Sequence, residues 1–244
     1  AVIFCSRTVK ETSELNPRKF ERKSFVVQNG VSLKTATAAD GLGLRAEMGI
    51  AGDEKVICCV GRLAGQKGQD ILIKAAAILI GDKRRLRFVL AGDGEMLEEL
   101  QAQAKQRGVK SNFLFLGRRA DIARILSACD VYTAPSRWEG LNIALGEAMF
   151  AGKPCVATAI AGHGDILKDG VTGVAVPPED PKALAAGLAR MLDNPQEARN
   201  MGAAASKMIG TDFTMEGMAK KYEKIYLDLM ESQDSGRDSQ LARP

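Results

Sequence analysis

The sequence predicts an α/β fold, a Rossmann-like doubly wound parallel sheet, and two observations carry this prediction. From residue 55 onward, short β-branched runs alternate with longer segments of helical periodicity, as expected of repeated strand–helix units around a buried parallel sheet. Successive apolar runs lie roughly 20–30 residues apart, which suits short right-handed crossover connections. Together these observations indicate a single sheet covered by helices.

The predicted elements follow the chain in order. Strands are expected over 56–60, 87–91, 113–116, 130–134, 154–158 and 173–176. Helices are expected near 68–80, 95–107, 119–128, 142–151 and 181–192. The last of these helices has the clearest start, because Asp180 is a natural N-cap and Pro181 suits the first helical position. Leu184, Leu188 and Leu192 then form one apolar stripe that is predicted to face the sheet.

The two ends of the chain differ from this repeating part. Residues 1–32 hold an apolar strand, an amphipathic stretch and a second strand at 25–27, followed by the Asn29-Gly30 turn signal. Residues 33–54 show little periodicity beyond a short helix-like piece and are predicted to be a linker. Residues 214–231 are predicted to form an amphipathic helix, and the polar residues 232–244 a disordered tail.

Composition narrows the function classes. The 244 residues are 45% hydrophobic and 26% charged, and no apolar run approaches the roughly 20 residues that cross a bilayer. The net charge of +4 arises at the N-terminus, where residues 1–34 hold seven basic and three acidic side chains. This cluster fits either a solvated turn or a peripheral contact with anionic lipid, and nucleic-acid binding is not expected. Its centre is formed by Arg18, Lys19, Arg22 and Lys23.

The cysteines and the first residues of the chain indicate the cellular compartment of the protein. The cysteines lie mostly in apolar runs without metal-ligand spacing, so we expect buried thiols in a reducing cytoplasm. They are Cys5, Cys58, Cys59, Cys129 and Cys155. The chain starts without a methionine or a charged leader, so we expect no secretory signal and the middle of a longer protein.

A glycine-rich turn follows the first strand of the predicted sheet. Residues 60–68 (VGRLAGQKG) contain two cations at the end of the sheet where open α/β folds bind ligands. Gly61 lets the backbone approach an anion, Arg62 suits two-pronged contact with phosphate oxygens, and Lys67 adds a point charge. The turn predicts a phosphate site, although a glycine-rich turn with exposed cations and no ligand has the same pattern.

Two carboxylates follow the fourth strand. Glu139 lies in the loop after that strand and Glu147 on the next helix, so both are expected in one crevice at different depths. Carboxylates accept hydrogen bonds from vicinal hydroxyls, so Glu139 suits a hexose and Glu147 a ribose. The backbone N–H groups at the helix start, from Gly140, Leu141, Asn142 and Ile143, are expected to face a diphosphate. The alternatives are that Glu139 only caps the helix and Glu147 only pairs with a nearby lysine.

Several motifs occur together in a specific order. They are Gly61-Arg62 with Lys67, Ala91-Gly92-Asp93-Gly94, Phe115-Leu116-Gly117, the run from Asp130 to Ser136, the pair Glu139 and Glu147 with Ala148-Met149, and the run from Asp169 to Gly173. In this order they resemble the C-terminal domain of the retaining "group 1" glycosyltransferases, family 4, with the GT-B fold. The resemblance is close to continuous from residue 55 to about residue 210.

The resemblance implies roles for individual residues. Arg62 and Lys67 match the cations that hold the donor's diphosphate and stabilise the leaving group. Glu139 matches the carboxylate against the donor sugar, and Glu147 the one that binds the ribose hydroxyls. The main chain near Arg118 and Arg119 matches the loop that flanks the nucleobase. The family usually works without a bound metal, so neither a metal nor another cofactor is expected.

This sequence departs from the family pattern at two positions near the predicted site. Asn142 stands where the family often has Gly or Pro, and Asp165 where it usually has Glu, so both are expected to affect the sugar pocket. The only histidine, His163, is predicted to be structural or solvent-facing rather than catalytic.

The resemblance implies the donor-binding half of an enzyme that glycosylates a polysaccharide, glycolipid or related acceptor in the cytoplasm, with membrane contact at the inner face left open. Residues 1–32 are expected to be a remnant of the acceptor domain, which is otherwise missing, and 214–231 the helix that crosses back to it. The isolated chain is therefore expected to be inactive. The alternatives are a non-catalytic nucleotide-sugar-binding module, one subunit of a split enzyme, and, more remotely, a GT-B epimerase.

Overall fold

The computed structural model describes residues 2–12, 24–32 and 36–241. Near the N-terminus, strands β1 (Val2–Phe4) and β2 (Ser24–Val26) pair in parallel, and helix α1 (Arg7–Thr12) follows β1. The basic cluster around Arg18 and Arg22 lies outside the described residues. The chain then enters the larger unit at Val31, whose N–H donates to the Phe213 carbonyl at 2.7 Å.

The larger unit is a six-stranded parallel sheet with helices between its strands. The strands are β3 (Lys55–Val60), β4 (Leu86–Ala91), β5 (Phe113–Phe115), β6 (Val131–Ala134), β7 (Cys155–Thr158) and β8 (Val174–Val176). The helices are α2 (Ala38–Glu47), α3 (Gln69–Gly81), α4 (Leu97–Gln106), α5 (Ile122–Ala128), α6 (Ile143–Phe150), α7 (Ala161–Gly164), α8 (Pro181–Asp193), α9 (Pro195–Asp212) and α10 (Met215–Leu241). No described helix is both long enough and apolar enough to cross a bilayer.

The strands lie in the order β5-β4-β3-β6-β7-β8, and all five pairings are parallel. The chain therefore builds one half of the sheet outward from β3, returns to the centre, and builds the other half outward from β6. This is the doubly wound order in which ligands bind where the direction reverses. The predicted Rossmann-like α/β fold is confirmed.

Apolar side chains cover both faces of the sheet. On one face, Phe88 of β4 packs in a buried cluster with Leu72 of α3 and Leu188 of α8. On the other, Tyr132 of β6 packs with Ile125 of α5 and Leu145 of α6. Strands that are buried on both faces need continuous apolar sequence, which is why their runs are visible in the sequence.

The predicted start of α8 is confirmed in detail. Asp180 Oδ1 accepts hydrogen bonds from the N–H groups of Lys182 and Ala183, both at 2.9 Å, and Pro181 is the first helical residue. Leu184 and Leu188 of the predicted apolar stripe are buried. The helix is thus specified locally at its start and by burial along its length.

The structure differs from the sequence-based prediction in the segment 33–54. This segment contains α2, whose capping box joins the Thr37 side chain to the Asp40 N–H and the Asp40 carboxylate to the Thr37 N–H. Leu44 is buried, and Arg45 forms an ion pair with Asp130 at 2.6 Å. Residues 38–47 are therefore a packed helix rather than part of a bare linker.

Two further differences lie near the C-terminus. Helix α9 was absent from the predicted elements because its apolar stripe contains small residues such as Ala198 and Ala205, which bury little hydrophobic area each. Helix α10 continues to Leu241, ten residues beyond the end predicted for the amphipathic helix at 231.

Candidate functional site

The strand order reverses between β3 and β6, and the loops that follow these two strands meet at the carboxyl edge of the sheet. Residues 61–68 follow β3, and residues 135–142 follow β6. The two crossover connections leave on opposite faces of the sheet at such a reversal, so a crevice forms between their first loops. Both predicted motifs, the glycine-rich turn and the first carboxylate, lie in these loops.

Hydrogen bonds join the two loops directly. The Arg137 N–H donates to the Gln66 carbonyl at 2.8 Å, and Gln66 Nε2 donates to the Trp138 carbonyl at 2.9 Å. Arg137 also forms a two-pronged ion pair with Asp70 at 2.8 and 2.9 Å. Asp70 lies in the first turn of α3, so the loop after β6 is fixed to the helix after β3.

Gly68 marks a point where the two loops touch through their backbones. Its φ is +67°, and a Cβ atom there would lie 2.0 Å from the Pro135 carbonyl oxygen. Gly92, in the loop after β4, is equally constrained, because its Cβ would lie 1.9 Å from the Gly61 carbonyl oxygen. Any other residue at either position would push these loops apart.

An ion pair between Lys67 and Glu139 lies in this junction. Lys67 Nζ is 2.6 Å from Glu139 Oε1, and the two side chains are 21% and 6% exposed. The Lys67 stem crosses Gly61, whose Cβ position would lie 3.5 Å from Lys67 Cε. A charge removed from water needs a charged or hydrogen-bonding partner, so each of these side chains holds the other in place.

The two oxygens of Glu139 have different surroundings. Oε1 accepts two more hydrogen bonds, from Ser136 Oγ at 2.9 Å and from Asn142 Nδ2 at 3.1 Å. Oε2 has only a 3.4 Å contact with Gln66 Nε2. Helix α6 is capped by Asn142 instead, whose Oδ1 accepts from the Leu145 N–H at 3.1 Å. The alternative that Glu139 only caps the helix is therefore excluded.

His163 is buried next to this group. Its Nδ1 lies 2.8 Å from the Thr158 carbonyl oxygen, which can only accept, so Nδ1 carries the proton. Its Nε2 then accepts from Asn142 Nδ2 at 3.0 Å. Burial lowers the pKa of His163, with a smaller opposing effect from the Thr158 carbonyl. The ring is neutral and structural, as predicted, but it is not solvent-facing.

Glu147 and Arg62 have no polar partner for their side chains in the described part of the chain. Burial alone raises the pKa of Glu147, because no cation or donor compensates the desolvation of its carboxylate. The alternative that Glu147 only pairs with a nearby lysine is therefore excluded. The Arg62 side chain is exposed in the glycine-rich turn that also contains Lys67. Both groups have free hydrogen-bonding capacity; Arg62 lies in the loop after β3, and Glu147 lies on α6, the helix that follows the loop after β6.

The loop after β5 holds the remaining predicted residues. The Arg119 guanidinium is engaged by Asp121 through two hydrogen bonds of 2.7 and 2.6 Å. The Arg118 side chain is exposed. The Leu116 N–H donates to the Leu90 carbonyl and the Gly92 N–H to the Gly117 carbonyl, so this loop continues the same edge of the sheet beside the loop after β4.

We expect His163 to reduce the stability of the folded protein as the pH falls below about 6.5. Its pKa is lowered in the folded state, so the unfolded chain binds a proton that the folded chain excludes. The loss is at most about 1.4 kcal/mol per pH unit. Urea unfolding at about pH 7.5 and about pH 5.5 measures it. His163→Gln should lose less stability over this interval, and an equal loss in both proteins would contradict the prediction.

Comparison with known proteins identifies the family. The sequence profile described as glycosyl transferases group 1 matches residues 43–208. The chain belongs to the group 1 glycosyltransferase family. The matched range contains both loops, the Lys67–Glu139 pair and Glu147, so the predicted family is confirmed over the region in which its motifs lie.

Individual relatives are longer than this chain. It is 30% identical over 236 residues to an uncharacterised glycosyltransferase of Methanocaldococcus jannaschii, covering 94% of this chain and 60% of that protein. It is 30% identical over 213 residues to the UDP-Gal:alpha-D-GlcNAc-diphosphoundecaprenol alpha-1,3-galactosyltransferase of Escherichia coli, covering 85% and 55%. The structure of Anabaena HepE in complex with UDP-glucose superposes with a TM-score of 0.83 at 26% identity, covering 94% of this chain and 63% of that chain. The chain thus spans 55–63% of the length of these three proteins.

Within this group 1 glycosyltransferase domain, some of the predicted site residues contact each other, and others contact different parts of the protein. Lys67 and Glu139 are in direct contact, whereas Arg62, in the glycine-rich turn, and Glu147, on α6, form no ion pair with them. Asn142 was predicted to face the diphosphate through its backbone N–H; the residue is 3% exposed, and its side-chain amide is used within the protein. The Gly140 backbone lies beneath the N-terminal segment, because its Cβ position would be 3.4 Å from Cys5 Sγ.

Sequence reasoning missed the residues that hold the site together. Ser136 and Gln66 bind Glu139, and Arg137 ties the two loops to α3. Gln66 and Arg137 bind partners that are 73 and 67 positions away in the sequence, and Ser136 binds a residue of its own irregular loop. No periodic sequence pattern therefore indicates these contacts. The signal available was an arginine directly before Trp138, in a loop otherwise lacking cations.

Proposed function

We propose that this chain is the donor-binding half of a retaining glycosyltransferase that transfers a sugar from a nucleoside-diphosphate sugar to a polysaccharide, glycolipid or related acceptor. The observation that carries the proposal is the Lys67–Glu139 pair at the strand-order reversal, with unpartnered Arg62 in the same turn and unpartnered Glu147 on the helix that follows. The structural relative HepE binds UDP-glucose, which supports the same class of ligand here.

The charges of the two loops suit the proposed reaction. Breaking the bond between the anomeric carbon and its oxygen places negative charge on the diphosphate and positive character on the sugar ring. Arg62 and Lys67 would then stabilise the transition state more than the ground state. A lysine ammonium has three hydrogens, so Lys67 can hold Glu139 and a phosphate oxygen together. Glu139 in turn holds the Lys67 ammonium group in place beside the turn.

The unpartnered carboxylate fits the other end of the donor. Glu147 has no hydrogen-bond donor in the described part of the chain, and vicinal hydroxyls of a ribose would supply two. The main chain beside Arg118 and Arg119 would flank the base. No metal or cofactor is part of this proposal, because the cations that offset the diphosphate charge are side chains.

Transfer needs an acceptor held opposite the donor. The chain spans little more than half the length of the relatives it matches, and we assign the acceptor wall to a second domain or chain outside the described residues. The four cysteines of the larger unit are buried free thiols, which supports a cytoplasmic location. Contact with the inner face of a membrane would involve the basic cluster around Arg18 and Arg22.

The test is nucleotide binding by the purified chain. We expect titration calorimetry to detect binding of UDP, GDP or ADP, and Arg62→Ala to weaken the best of them by about 10- to 100-fold, the effect of one charge-assisted contact. Arg62→Ala should weaken inorganic pyrophosphate as well, because the guanidinium acts on the phosphates. Glu147→Ala should weaken the nucleotide and leave pyrophosphate unchanged, because its carboxylate acts on the ribose.

Arg107→Ala is the matched control. Arg107 is also an exposed arginine, but it follows α4 and so lies at the opposite, amino edge of the sheet. Its removal should leave nucleotide affinity within about twofold. The proposed function is wrong if none of the three nucleotides binds, or if Arg62→Ala and Arg107→Ala have the same effect.

A further inference from the structure

A chain of buried hydrogen bonds runs from the end of β7 to Glu139. Thr158 presents its carbonyl oxygen to His163 Nδ1 at 2.8 Å, His163 Nε2 faces Asn142 Nδ2 at 3.0 Å, and Asn142 Nδ2 reaches Glu139 Oε1 at 3.1 Å. Thr158, His163 and Asn142 are 2%, 1% and 3% exposed. The chain thus links three segments through side chains that solvent does not reach.

Every hydrogen-bonding group of the Asn142 amide has one partner. Its oxygen accepts the Leu145 N–H, one amide hydrogen points to His163, and the other points to Glu139. Because the proton of the neutral His163 ring is on Nδ1, Nε2 carries a lone pair and can only accept a hydrogen bond. The atom of Asn142 that faces Nε2 must therefore be the amide nitrogen and not the oxygen. This arrangement allows one orientation of the amide and excludes the flipped one.

Asparagine at position 142 has more hydrogen-bonding groups than the N-cap of a helix requires. Serine, threonine or aspartate caps a helix about as well as asparagine, because capping needs only one acceptor oxygen. Only a side chain with an acceptor and two donors caps α6 while also donating to an imidazole and to a carboxylate. The second and third contacts therefore point to a requirement set by Glu139 rather than by the helix.

We infer that Asn142 and His163 are a positioning pair that fixes the orientation of the Glu139 carboxylate toward the donor sugar. The inference rests on the proposed function and deepens it. Lys67, Ser136 and Asn142 saturate Oε1, so Oε2 is the oxygen left to accept a sugar hydroxyl. In this arrangement neither the Asn142 side chain nor the His163 ring touches the donor. They act through Glu139. The charged groups that influence the pKa of His163 are Glu139, which raises it, and Lys67, which lowers it.

The single histidine makes the pair observable without mutation. A chain labelled with ¹⁵N only at histidine shows the two ring nitrogens of His163 and no others. We expect the spectrum of a neutral ring protonated at Nδ1. A sugar nucleotide should shift the Nε2 resonance more than the matching nucleotide does, because the sugar acts on Glu139 and Glu139 on Asn142.

Two variants separate positioning from stability. Asn142→Ser keeps an oxygen for the α6 cap and removes both amide hydrogens, and His163→Leu removes the acceptor that orients the amide. The probes are UDP, GDP and ADP, each alone and with glucose attached, titrated into each protein. For the base that binds best, both variants should keep nucleotide affinity within about twofold and lose roughly tenfold of the added affinity that the sugar provides.

The outcomes distinguish the two proposals. If no nucleotide binds to the wild-type chain, the proposed function fails and this inference fails with it. If nucleotides bind but the attached sugar adds no affinity, or Asn142→Ser retains all of it, the positioning role alone is overturned. If Asn142→Ser does not fold, His163→Leu and the labelled wild-type ring still decide the matter, and a ring that does not respond to the sugar overturns the inference.

Discussion

Gly68→Ala is expected to destabilise the domain by about 3–5 kcal/mol. The methyl group would lie 2.0 Å from the Pro135 carbonyl oxygen, and alanine is strained at the φ of +67° found there. Relief requires the glycine-rich turn and the loop after β6 to separate, which would also pull Lys67 from Glu139. Thermal unfolding should show the midpoint lowered by roughly 10 °C, and nucleotide affinity should fall as well.

Gly108→Ala separates backbone strain from the clash. Gly108 has a φ of +72°, close to that of Gly68, but no atom lies within 4 Å of its Cβ position. We expect this control to cost only about 1 kcal/mol and to leave ligand binding unchanged. Equal losses of stability in the two variants would show that the contact with Pro135 contributes nothing.

Lys67→Ala is expected to cost about 2–4 kcal/mol of folding free energy and to abolish measurable nucleotide binding. The substitution leaves the Glu139 carboxylate, 6% exposed, without its cation, and removes one of the two charges assigned to the diphosphate. Urea unfolding gives the first quantity and calorimetry the second. Adding Glu139→Gln should restore part of the stability, because the uncompensated charge is then gone, but it should not restore binding.

Lys74→Ala is the matched control for this pair. Lys74 contacts Asp70 at 3.5 Å one helical turn away, and its side chain is 35% exposed. Pairs of this kind contribute at most about 0.5 kcal/mol, so stability and nucleotide affinity should both stay close to wild type. A double variant Lys67→Ala/Glu139→Gln that is no more stable than Lys67→Ala would refute the explanation by an unpaired buried charge.

The sequence predicted the sheet well because each strand is buried on both faces. The observed strand bounds lie within one residue of the predicted ones, since continuous apolar runs end where the chain leaves the sheet. Helix α9 was harder to predict because its buried positions are partly alanine and glycine, as at Ala198 and Gly202. Helix α2 was underestimated for another reason: its packing partner α5 lies some 80 residues further along the chain.

The site was predictable in its residue types but not in its connections. Glycines beside cations and carboxylates after a strand indicated a diphosphate and a sugar, and the structure brings Lys67 and Glu139, one residue from each motif, into contact. The sequence predicted a role for the Asn142 backbone N–H toward the diphosphate, and the structure adds side-chain contacts of Asn142 inside the protein that the sequence did not indicate. Which oxygen of Glu139 remains available depends on Ser136, Asn142 and Lys67 meeting at one atom, and no local pattern encodes that.

The pairing between β3 and β6 has a consequence for how the domain holds together. These strands join the two halves of the sheet through only two residue pairs, Ile57 with Val131 and Cys58 with Tyr132, whereas β3 and β4 share six. The loops at residues 61–68 and 135–142 extend from opposite sides of this seam. A molecule that binds to both loops would therefore hold the two halves of the sheet together. Part of its binding free energy would stabilise the contact between these halves, because the strand pairing between β3 and β6 is short.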